Sequence, residues 1–386
     1  MRIAIILSLA VFINSVIYPQ INPRSDFNTE AAKIAASLSD HDLAAQVLLT
    51  GIDGKVDLVP AMKSLLQRIP AGGILLFKYN LDSSKDEVKK LLSSTADIIS
   101  ANTGIPPFMA VDHEGGMVHR FGAGVQRLPS PYSFWELAQT DSRAAAVSRA
   151  EILYRLSAKE IHELGISMVL GPVAEVLTAE NSAFLETRSY GPDSDFVQKA
   201  CSAFVNAMDS AGIACVLKHF PGNNSVDPHF GSSSIAYSRS SLDRMAGTFA
   251  DLIKIIHIPS IMVSHNIFPA RDALNNASLS DEIISVWLKK ELGFSGIVLA
   301  DDFSMKAITD RGIGAEDAVI LALNAGTDMV MCWPSGLSRV HSAVMTALKN
   351  GRLPRSRLED AASRILAEKL RYGLIPAGST AAAGMR

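Results

Sequence analysis

Short apolar runs of this 386-residue sequence are followed at once by charged or polar residues that could do chemistry. Any single one could simply cap a helix, and for Asp302 this explanation is as good as function. If these side chains all lie close together in the fold, however, their desolvation and mutual repulsion are unfavourable and do not help folding. Together, these residues therefore indicate a functional site. They are Asp112, His113 and Glu114, then Lys218 and His219, then His265 and Asn266, and finally Asp301 and Asp302.

The residue types narrow the chemistry. A fixed carboxylate with a second proton-transferring group, and without a reactive cysteine, a metal-ligand cluster or a nucleotide-binding loop, is typical of glycoside hydrolysis. In that reaction one carboxylate attacks the anomeric carbon while its partner protonates the leaving oxygen. The sequence therefore favours a sugar-cleaving site with no metal and no cofactor.

The tripeptide Asp227-Pro228-His229 could supply the proton-transferring partner. In an extended loop, residues two apart face the same way, so Asp227 could accept a hydrogen bond from one imidazole nitrogen and raise the basicity of the other. A histidine in this role also avoids a second carboxylate beside an anionic nucleophile. The alternative interpretation is a plain Asx-type turn at the proline.

The elements that must position these residues alternate in type along the chain. Apolar runs rich in Val, Ile and Leu are separated by longer segments of helical period, which predicts parallel strands joined by helical crossovers. The predicted strands are 47–50, 73–77, 108–111, 167–173, 214–217, 260–264, 296–300 and 328–332. The predicted helices are 87–101, 142–164, 195–211, 241–256, 281–292, 315–325 and 358–370. Eight strands favour a single (β/α)8 TIM barrel. A doubly wound open sheet is the alternative, but no GxGxxG turn follows an early strand.

Composition excludes some partners and suggests export. The formal charge is only −3, so we expect neither nucleic acid nor acidic lipid to be a partner. An early Arg2 followed by an apolar run to Ile17 predicts a signal peptide over residues 1–20, with an uncleaved anchor as the alternative. Pro19 ends the run before the ~20 residues that a stable membrane span needs. We therefore expect an exported, periplasmic or extracellular protein.

The sequence also predicts the extent of the barrel domain and the state of the cysteines. Residues 21–375 are predicted to form the barrel, and the small-residue tail 376–386 is predicted to be disordered. Cys201, Cys215 and Cys332 each lie in an apolar stretch and are expected to be buried thiols, although a Cys201–Cys215 bridge stays open from the sequence.

Several motifs, in order from about residue 43 to 373, resemble glycoside hydrolase family 3, in particular its β-N-acetylglucosaminidase branch with an Asp-His dyad. The most specific is KHFPG at 218–222, followed closely by DPH at 227–229. The others are AGGILLFKYN at 71–80, VDHEGGMVHRF at 111–121, TRSYG at 187–191, IMVSHNIFPARD at 261–272, ELGFSGIVLADDFSM at 291–305 and ALNAGTDMVM at 322–331.

The resemblance implies a role for individual residues. Asp301, the first Asp of the DD pair, would be the nucleophile, and His229 the acid/base with Asp227 behind it. Asp302 would have no catalytic role. The positions that match the family's sugar-binding residues are Asp112, Arg120, Arg188, Lys218 and His219.

The chain also departs from the family's pattern. The loop 223–226 is about two residues shorter than usual and has Asn223-Asn224 in place of an HG pair. Met117 stands where the family usually has Arg, His113 and His119 replace glutamines, and Ala300 replaces a Ser.

The resemblance thus implies a retaining enzyme that releases terminal β-linked N-acetylglucosamine from peptidoglycan fragments or chito-oligosaccharides. Two alternatives stay open. A histidine acid/base would repel attacking phosphate less than a carboxylate would, which suggests a β-N-acetylglucosaminide phosphorylase. The shortened loop suggests instead a catalytically silent sugar-binding protein.

Overall fold

The computed structural model describes residues 25–122 and 124–378. Within these residues, eight parallel strands pair in sequence order around a closed ring, and the last pairs with the first. The strands are β1 (Leu48–Gly51), β2 (Gly73–Leu76), β3 (Phe108–Gly115), β4 (Met168–Val173), β5 (Ala214–Phe220), β6 (Ser260–Val263), β7 (Ile297–Ala300) and β8 (Met329–Cys332). The predicted single (β/α)8 barrel is confirmed.

Each predicted strand lies within a few residues of its observed bounds, because apolar runs buried on both faces are easy to recognise. The ring closes where Leu48 of β1 pairs with Val330 of β8, while Leu49 pairs with Gly73 of β2. Observed β3 and β5 extend further than predicted, to Gly115 and Phe220. The polar residues of those segments therefore lie on the strands themselves rather than after them.

Helices surround the barrel. They are α1 (Ser25–Ser37), α2 (Asp40–Gln46), α3 (Pro60–Arg68), α4 (Lys85–Ser100), α5 (Pro131–Thr140), α6 (Arg143–His162), α7 (Ser182–Leu185), α8 (Ser194–Ser210), α9 (Arg239–Met245), α10 (Gly247–Ile255), α11 (Lys306–Thr309), α12 (Ala315–Ala325), α13 (Leu337–Lys349) and α14 (Arg355–Arg371). A π-helix covers Glu282–Glu291, and 3-10 turns cover Lys78–Asn80 and Ala277–Leu279. Short antiparallel strands lie at Val118–His119, Ile267–Phe268 and Asp272–Asn276.

Every predicted helix is present, with one correction. The predicted helix 241–256 is two helices, α9 and α10, which meet at Ala246. The helices α1, α2, α3, α5 and α13 were not predicted from the sequence. Among them, α1 packs against α14.

A buried charge cluster lies at the opposite end of the barrel from the predicted site. Asp328, which precedes β8, accepts hydrogen bonds from Lys289 Nζ at 2.9 Å and Arg357 Nη2 at 2.6 Å. Its second oxygen accepts from the backbone N–H of Val298 at 2.9 Å. These bonds connect the π-helix and α14 to the starts of β7 and β8, so we interpret Asp328 as a structural residue.

Several of the terminal and cysteine predictions can be compared with the described residues. All three cysteines are buried and free, which confirms the prediction of buried thiols. The predicted signal peptide lies outside the described residues, as do residues 379–386 of the predicted tail. Across residues 25–122 and 124–378, no helix is long and apolar enough to cross a membrane.

Candidate active site

A cavity of about 450 Å³ opens at the carboxyl ends of the barrel strands, where enzymes of this fold place their active sites. Every residue that the sequence analysis selected for catalysis or sugar binding lines it. They are Asp112, Arg120, Arg188, Lys218, His219, Asp227, His229 and Asp301. His265 also lines the cavity, whereas Asn266 is buried beside it.

The floor of the cavity is a compact cluster of opposite charges centred on Glu114. This carboxylate accepts two hydrogen bonds from the Arg188 guanidinium, at 2.8 and 2.9 Å. Lys218 Nζ lies 2.7 Å from the Glu114 carboxylate and donates to Asp112 at 3.0 Å. Arg120 approaches the other oxygen of Asp112 at 3.5 Å. The side chains of Glu114 and Lys218 are only 1% and 4% exposed, so water screens their pairing little.

The opposite charges of this cluster favour the ionised forms of Glu114, Asp112 and Lys218. Burial by itself would raise the pKa of Glu114, but Lys218 and Arg188 outweigh it and the pKa lies well below its usual value. In Asp112, burial is likewise outweighed by Lys218 and Arg120, and the pKa is lowered. Burial would lower the pKa of Lys218, yet the two carboxylates raise it. The floor therefore presents fixed donors and acceptors at neutral pH.

A second buried carboxylate, Glu175, organises the wall beside this floor. It lies just after β4 and accepts a hydrogen bond from His219 Nδ1 at 2.8 Å. Asn223 donates to the same carboxylate from its backbone N–H at 2.6 Å and from its side chain at 2.9 Å. Asn266 in turn donates to the Asn223 side chain at 2.7 Å. Glu175 thus sets the orientation of His219 and anchors the start of the shortened loop.

Asp227 and His229 form the predicted hydrogen bond, with 2.7 Å between His229 Nδ1 and the carboxylate. The backbone expected for it was wrong. The segment is a turn, in which Asp227 also accepts from the His229 backbone N–H at 2.9 Å and its carbonyl accepts from Phe230 N–H at 2.9 Å. The two side chains come together because of the Asx-type turn at Pro228, and not because of the extended loop that was expected. The His229 side chain is 63% exposed at the cavity rim.

Asp301 and Asp302 follow β7 but have different surroundings. Asp301 lines the cavity, and one of its carboxylate oxygens accepts a hydrogen bond from the backbone N–H of Asp302 at 2.8 Å. Asp302 is buried and accepts from the Trp333 indole N–H at 2.6 Å and from the Ser304 hydroxyl at 2.6 Å. The Asp302 carboxylate is therefore engaged on both sides, and Asp301 is the less constrained of the pair.

His265 lies beneath these carboxylates. Its ring contacts the Ser278 hydroxyl at 2.7 Å and the Asp302 carbonyl at 3.2 Å. Burial lowers its pKa, although the nearby Asp301 charge acts in the opposite direction. We interpret His265 as a neutral residue that supports the strand end after β6.

The dyad loop and the nucleophile candidate belong to one end of the barrel. The backbone N–H of Ala307, in α11 directly after Asp301 and Asp302, donates to the carbonyl of Pro228 at 3.0 Å. This bond joins the turn that carries His229 to the segment that follows Asp301. The shortened loop 223–226 therefore still delivers the dyad to the same cavity.

The departures from the family pattern have different consequences. His113 is buried, contacts the Ser157 hydroxyl at 2.8 Å, and burial lowers its pKa to about 3. It packs in the barrel wall rather than in the cavity. Met117 lines the cavity mouth and is half exposed, so the missing arginine leaves an apolar side chain there.

Sequence reasoning gave no specific role to four contributors to this site. Glu114 was selected only as one of the polar strand-end residues, and Glu175 was missed, because a buried carboxylate carries no specific signal until its cationic or imidazole partners are known. Phe77 and Trp333, which form an aromatic wall, were missed because Phe77 ends a predicted strand and Trp333 directly follows one. Within the described ranges, no three His, Cys, Asp or Glu side chains are grouped so that they could bind a metal ion.

The barrel has charged donors and acceptors buried on the cavity floor. It also has the Asp301 carboxylate and the Asp227-His229 pair at the cavity. Together these features define a (β/α)8-barrel glycoside hydrolase. Residues 46–367 match the family model described as "Glycosyl hydrolase family 3 N terminal domain". The chain belongs to glycosyl hydrolase family 3.

Individual relatives agree with this assignment. The chain is 32% identical to a protein named "Beta-hexosaminidase" from Idiomarina loihiensis over 279 residues, which are 71% of this chain and 80% of that protein. It is 30% identical to "Beta-hexosaminidase LpqI" of Mycobacterium tuberculosis over 359 residues, 88% of this chain and 85% of the relative. Its fold is similar to a solved glycoside hydrolase family 3 β-N-acetylglucosaminidase from Paenibacillus sp. str. FPU-7, with a TM-score of 0.81 and 26% identity. That match covers 87% of this chain and 63% of the Paenibacillus chain.

The floor cluster generates a stability prediction. Glu114→Gln leaves Lys218 and Arg188 buried opposite Asp112 alone, and removing one partner of a buried pair costs about 3–5 kcal/mol. We expect urea denaturation followed by circular dichroism to show a fall of about that size in the free energy of unfolding. The control is Glu151→Gln, the same change in an exposed pair with Arg155, which should cost less than about 1 kcal/mol. Equal losses in the two variants would contradict a shared buried charge.

Proposed function

We propose that this protein releases terminal β-linked N-acetylglucosamine with retention of anomeric configuration. The observation that supports this most directly is the convergence of Asp301, the Asp227-His229 pair and the charged floor on one cavity. The names of the relatives point to the same sugar. In this proposal the floor binds the terminal sugar, and the two rim groups carry out the chemistry.

In the first step, a carboxylate oxygen of Asp301 attacks the anomeric carbon. The bond between that carbon and the glycosidic oxygen breaks, and its electron pair goes to the leaving oxygen, which takes a proton from His229. Asp227 accepts a hydrogen bond from Nδ1, so Nε2 is the nitrogen left free to donate this proton. The Asp227 carboxylate also stabilises the imidazolium that precedes the transfer.

In the second step, the now neutral His229 removes a proton from water. The resulting hydroxide attacks the anomeric carbon, and the bond to Asp301 breaks to regenerate the carboxylate. Two inversions at one carbon give net retention. A histidine suits this double role because its ordinary pKa lies near neutrality, so that both protonation states are accessible.

The sugar hydroxyls require partners with fixed geometry. Asp112, Arg120, Arg188, Lys218 and His219 are the proposed set. Lys218 and Arg120 are held by Asp112, Arg188 by Glu114 and His219 by Glu175, so these side chains are in position before substrate arrives, which lowers the entropy cost of binding. We propose muropeptides or chito-oligosaccharides as natural substrates, because the predicted export would bring the enzyme into contact with such polymers.

The substrate class is tested with aryl β-N-acetylglucosaminide, aryl β-N-acetylgalactosaminide and aryl β-glucoside as parallel substrates, with and without phosphate. We expect the first to have the highest kcat/KM and to yield free N-acetylglucosamine in both buffers. Accumulation of N-acetylglucosamine 1-phosphate would establish the phosphorylase instead. Binding of N-acetylglucosamine oligomers without any turnover would establish the silent sugar-binding protein.

The nucleophile is tested by Asp301→Asn. Because an amide cannot form the glycosyl ester, turnover of the aryl N-acetylglucosaminide should fall by about 10³-fold or more. The matched control is Asp310→Asn, an exposed aspartate further along the same segment, which should keep the parent rate. Parent-like activity of Asp301→Asn would remove this residue from the mechanism.

The acid role is tested by His229→Ala with two leaving groups. A dinitrophenolate departs without protonation, whereas a sugar alkoxide does not, and general acid catalysis contributes about 10²–10⁴-fold. We therefore expect kcat/KM to fall strongly for N,N′-diacetylchitobiose and far less for the dinitrophenyl glycoside. His162→Ala, an exposed histidine at the end of α6, should affect neither substrate. Equal losses with both substrates would argue against proton donation by His229.

A further inference from the structure

An aromatic surface at the cavity mouth has no part in the chemistry proposed above. Trp333 directly follows β8 and Phe77 directly follows β2, and their rings stack with centroids 5.2 Å apart and planes inclined by 15°. Tyr79 continues the stack, 6.3 Å from Phe77 and inclined by 3°. Trp333 and Tyr79 are each 46% exposed. Phe77 and Trp333 line the main cavity, and Tyr79 extends the same aromatic surface outside it. The three rings are here called the aromatic platform.

The Trp333 ring is held in a fixed orientation. Its indole N–H donates to the Asp302 carboxylate at 2.6 Å, and the Ser304 hydroxyl lies 3.2 Å away. Asp302 also accepts from the backbone N–H of Ser304 at 2.8 Å. A half-exposed tryptophan with a specific buried acceptor is arranged to present one face, because the bond to Asp302 restrains rotation of the ring.

Trp333 also separates the main cavity from a second one. The second cavity has a volume of about 210 Å³ and shares Asp302, Met331 and Trp333 with the first. Its polar lining includes Ser304, Glu316, Ser335 and Arg339. The Arg339 guanidinium donates to Glu316 at 2.9 Å, with both side chains partly exposed. Flat apolar rings are thus bordered by hydroxyl, carboxylate and guanidinium groups.

We propose that the aromatic platform binds the pyranose on the leaving-group side of the scissile bond. A pyranose has a face of C–H groups that packs on flat rings, and equatorial hydroxyls that would reach the polar border of the second cavity. The terminal sugar needs the buried charged floor, whereas the leaving group projects outward to the half-exposed rim where the platform lies. This inference rests on the proposed function, since it assumes that a glycosidic bond is cleaved in the main cavity.

The platform therefore gives the enzyme a preference for a second sugar over a small or flexible leaving group. Binding energy from that remote sugar would lower the barrier for its departure as well as the KM. Asp302, which is not the proposed nucleophile, would then act as a positioning residue, because its carboxylate holds the Trp333 ring.

The test compares Trp333→Ala and Trp333→Phe on three substrates. N-Acetyl-β-D-glucosaminyl fluoride lacks an organic leaving group, N,N′-diacetylchitobiose has a pyranose, and octyl β-N-acetylglucosaminide has a flexible apolar chain. For Trp333→Ala we expect kcat/KM on the disaccharide to fall about tenfold more than on the fluoride. The loss for Trp333→Phe, which keeps a ring but loses the N–H, should be intermediate. The matched control is Trp135→Phe, outside both cavities, which should leave all three rates unchanged.

Three results would overturn the proposal. Equal losses on the fluoride and the disaccharide would assign Trp333 to the terminal sugar or to the fold, and no loss on either would remove it from binding. A loss on the octyl glycoside as large as on the disaccharide would mean an apolar surface without preference for a pyranose.

A binding measurement separates this proposal from the proposed function. Calorimetric titration of Asp301→Asn with the disaccharide should show binding, and the additional change Trp333→Phe should weaken that binding. If Asp301→Asn is fully active, the nucleophile assignment fails while the fluorides and disaccharides still test the platform. If no variant cleaves any substrate but the titration depends on Trp333, the platform binds a sugar, while the hydrolase proposal and the assignment of that sugar to the leaving-group side both fail.

Discussion

The charged floor depends on one buried carboxylate. Glu114 receives two hydrogen bonds from Arg188 and lies within ion-pair distance of Lys218, so it joins β3, β5 and the segment after α7 in one cluster. Three charges buried at this depth could not coexist without their partners, because desolvation of each would cost several kcal/mol. The pairing therefore fixes the side chains that the cavity offers to a substrate. Since Lys218 also bonds Asp112, the constraint extends to the rest of the floor.

The cavity has two sides of different character. One side carries the charged floor, where hydrogen bonds can distinguish the positions of sugar hydroxyls. A sugar that lacks one of these hydroxyls would leave a buried polar group unpaired and would therefore bind less well. The other side carries Phe77, Trp333 and Met331, which can contact flat or apolar groups without such discrimination. This division matches a substrate that has one strictly recognised sugar and a second, less strictly recognised one.

The proposed catalytic groups differ in how they are held. Asp301 lies at the end of β7, a buried strand of a rigid barrel. His229 lies on an exposed turn, whose anchors are the Asn223–Glu175 bonds at one end and the Pro228–Ala307 bond near the other. A nucleophile on a strand end and an acid/base on a loop are consistent with a fixed attack geometry and a partner that can adapt to leaving groups of different size.

The sequence by itself predicted the eight strands and the strand-end residues Asp112, Lys218 and Asp301, because apolar runs such as Ile297–Ala300 and the residues after them depend on local pattern. It could not determine which side chains pair across the barrel, since Glu114 and Arg188 are 74 positions apart and only the closed ring brings them together. For the same reason the bond between Trp333 and Asp302 was invisible in the sequence.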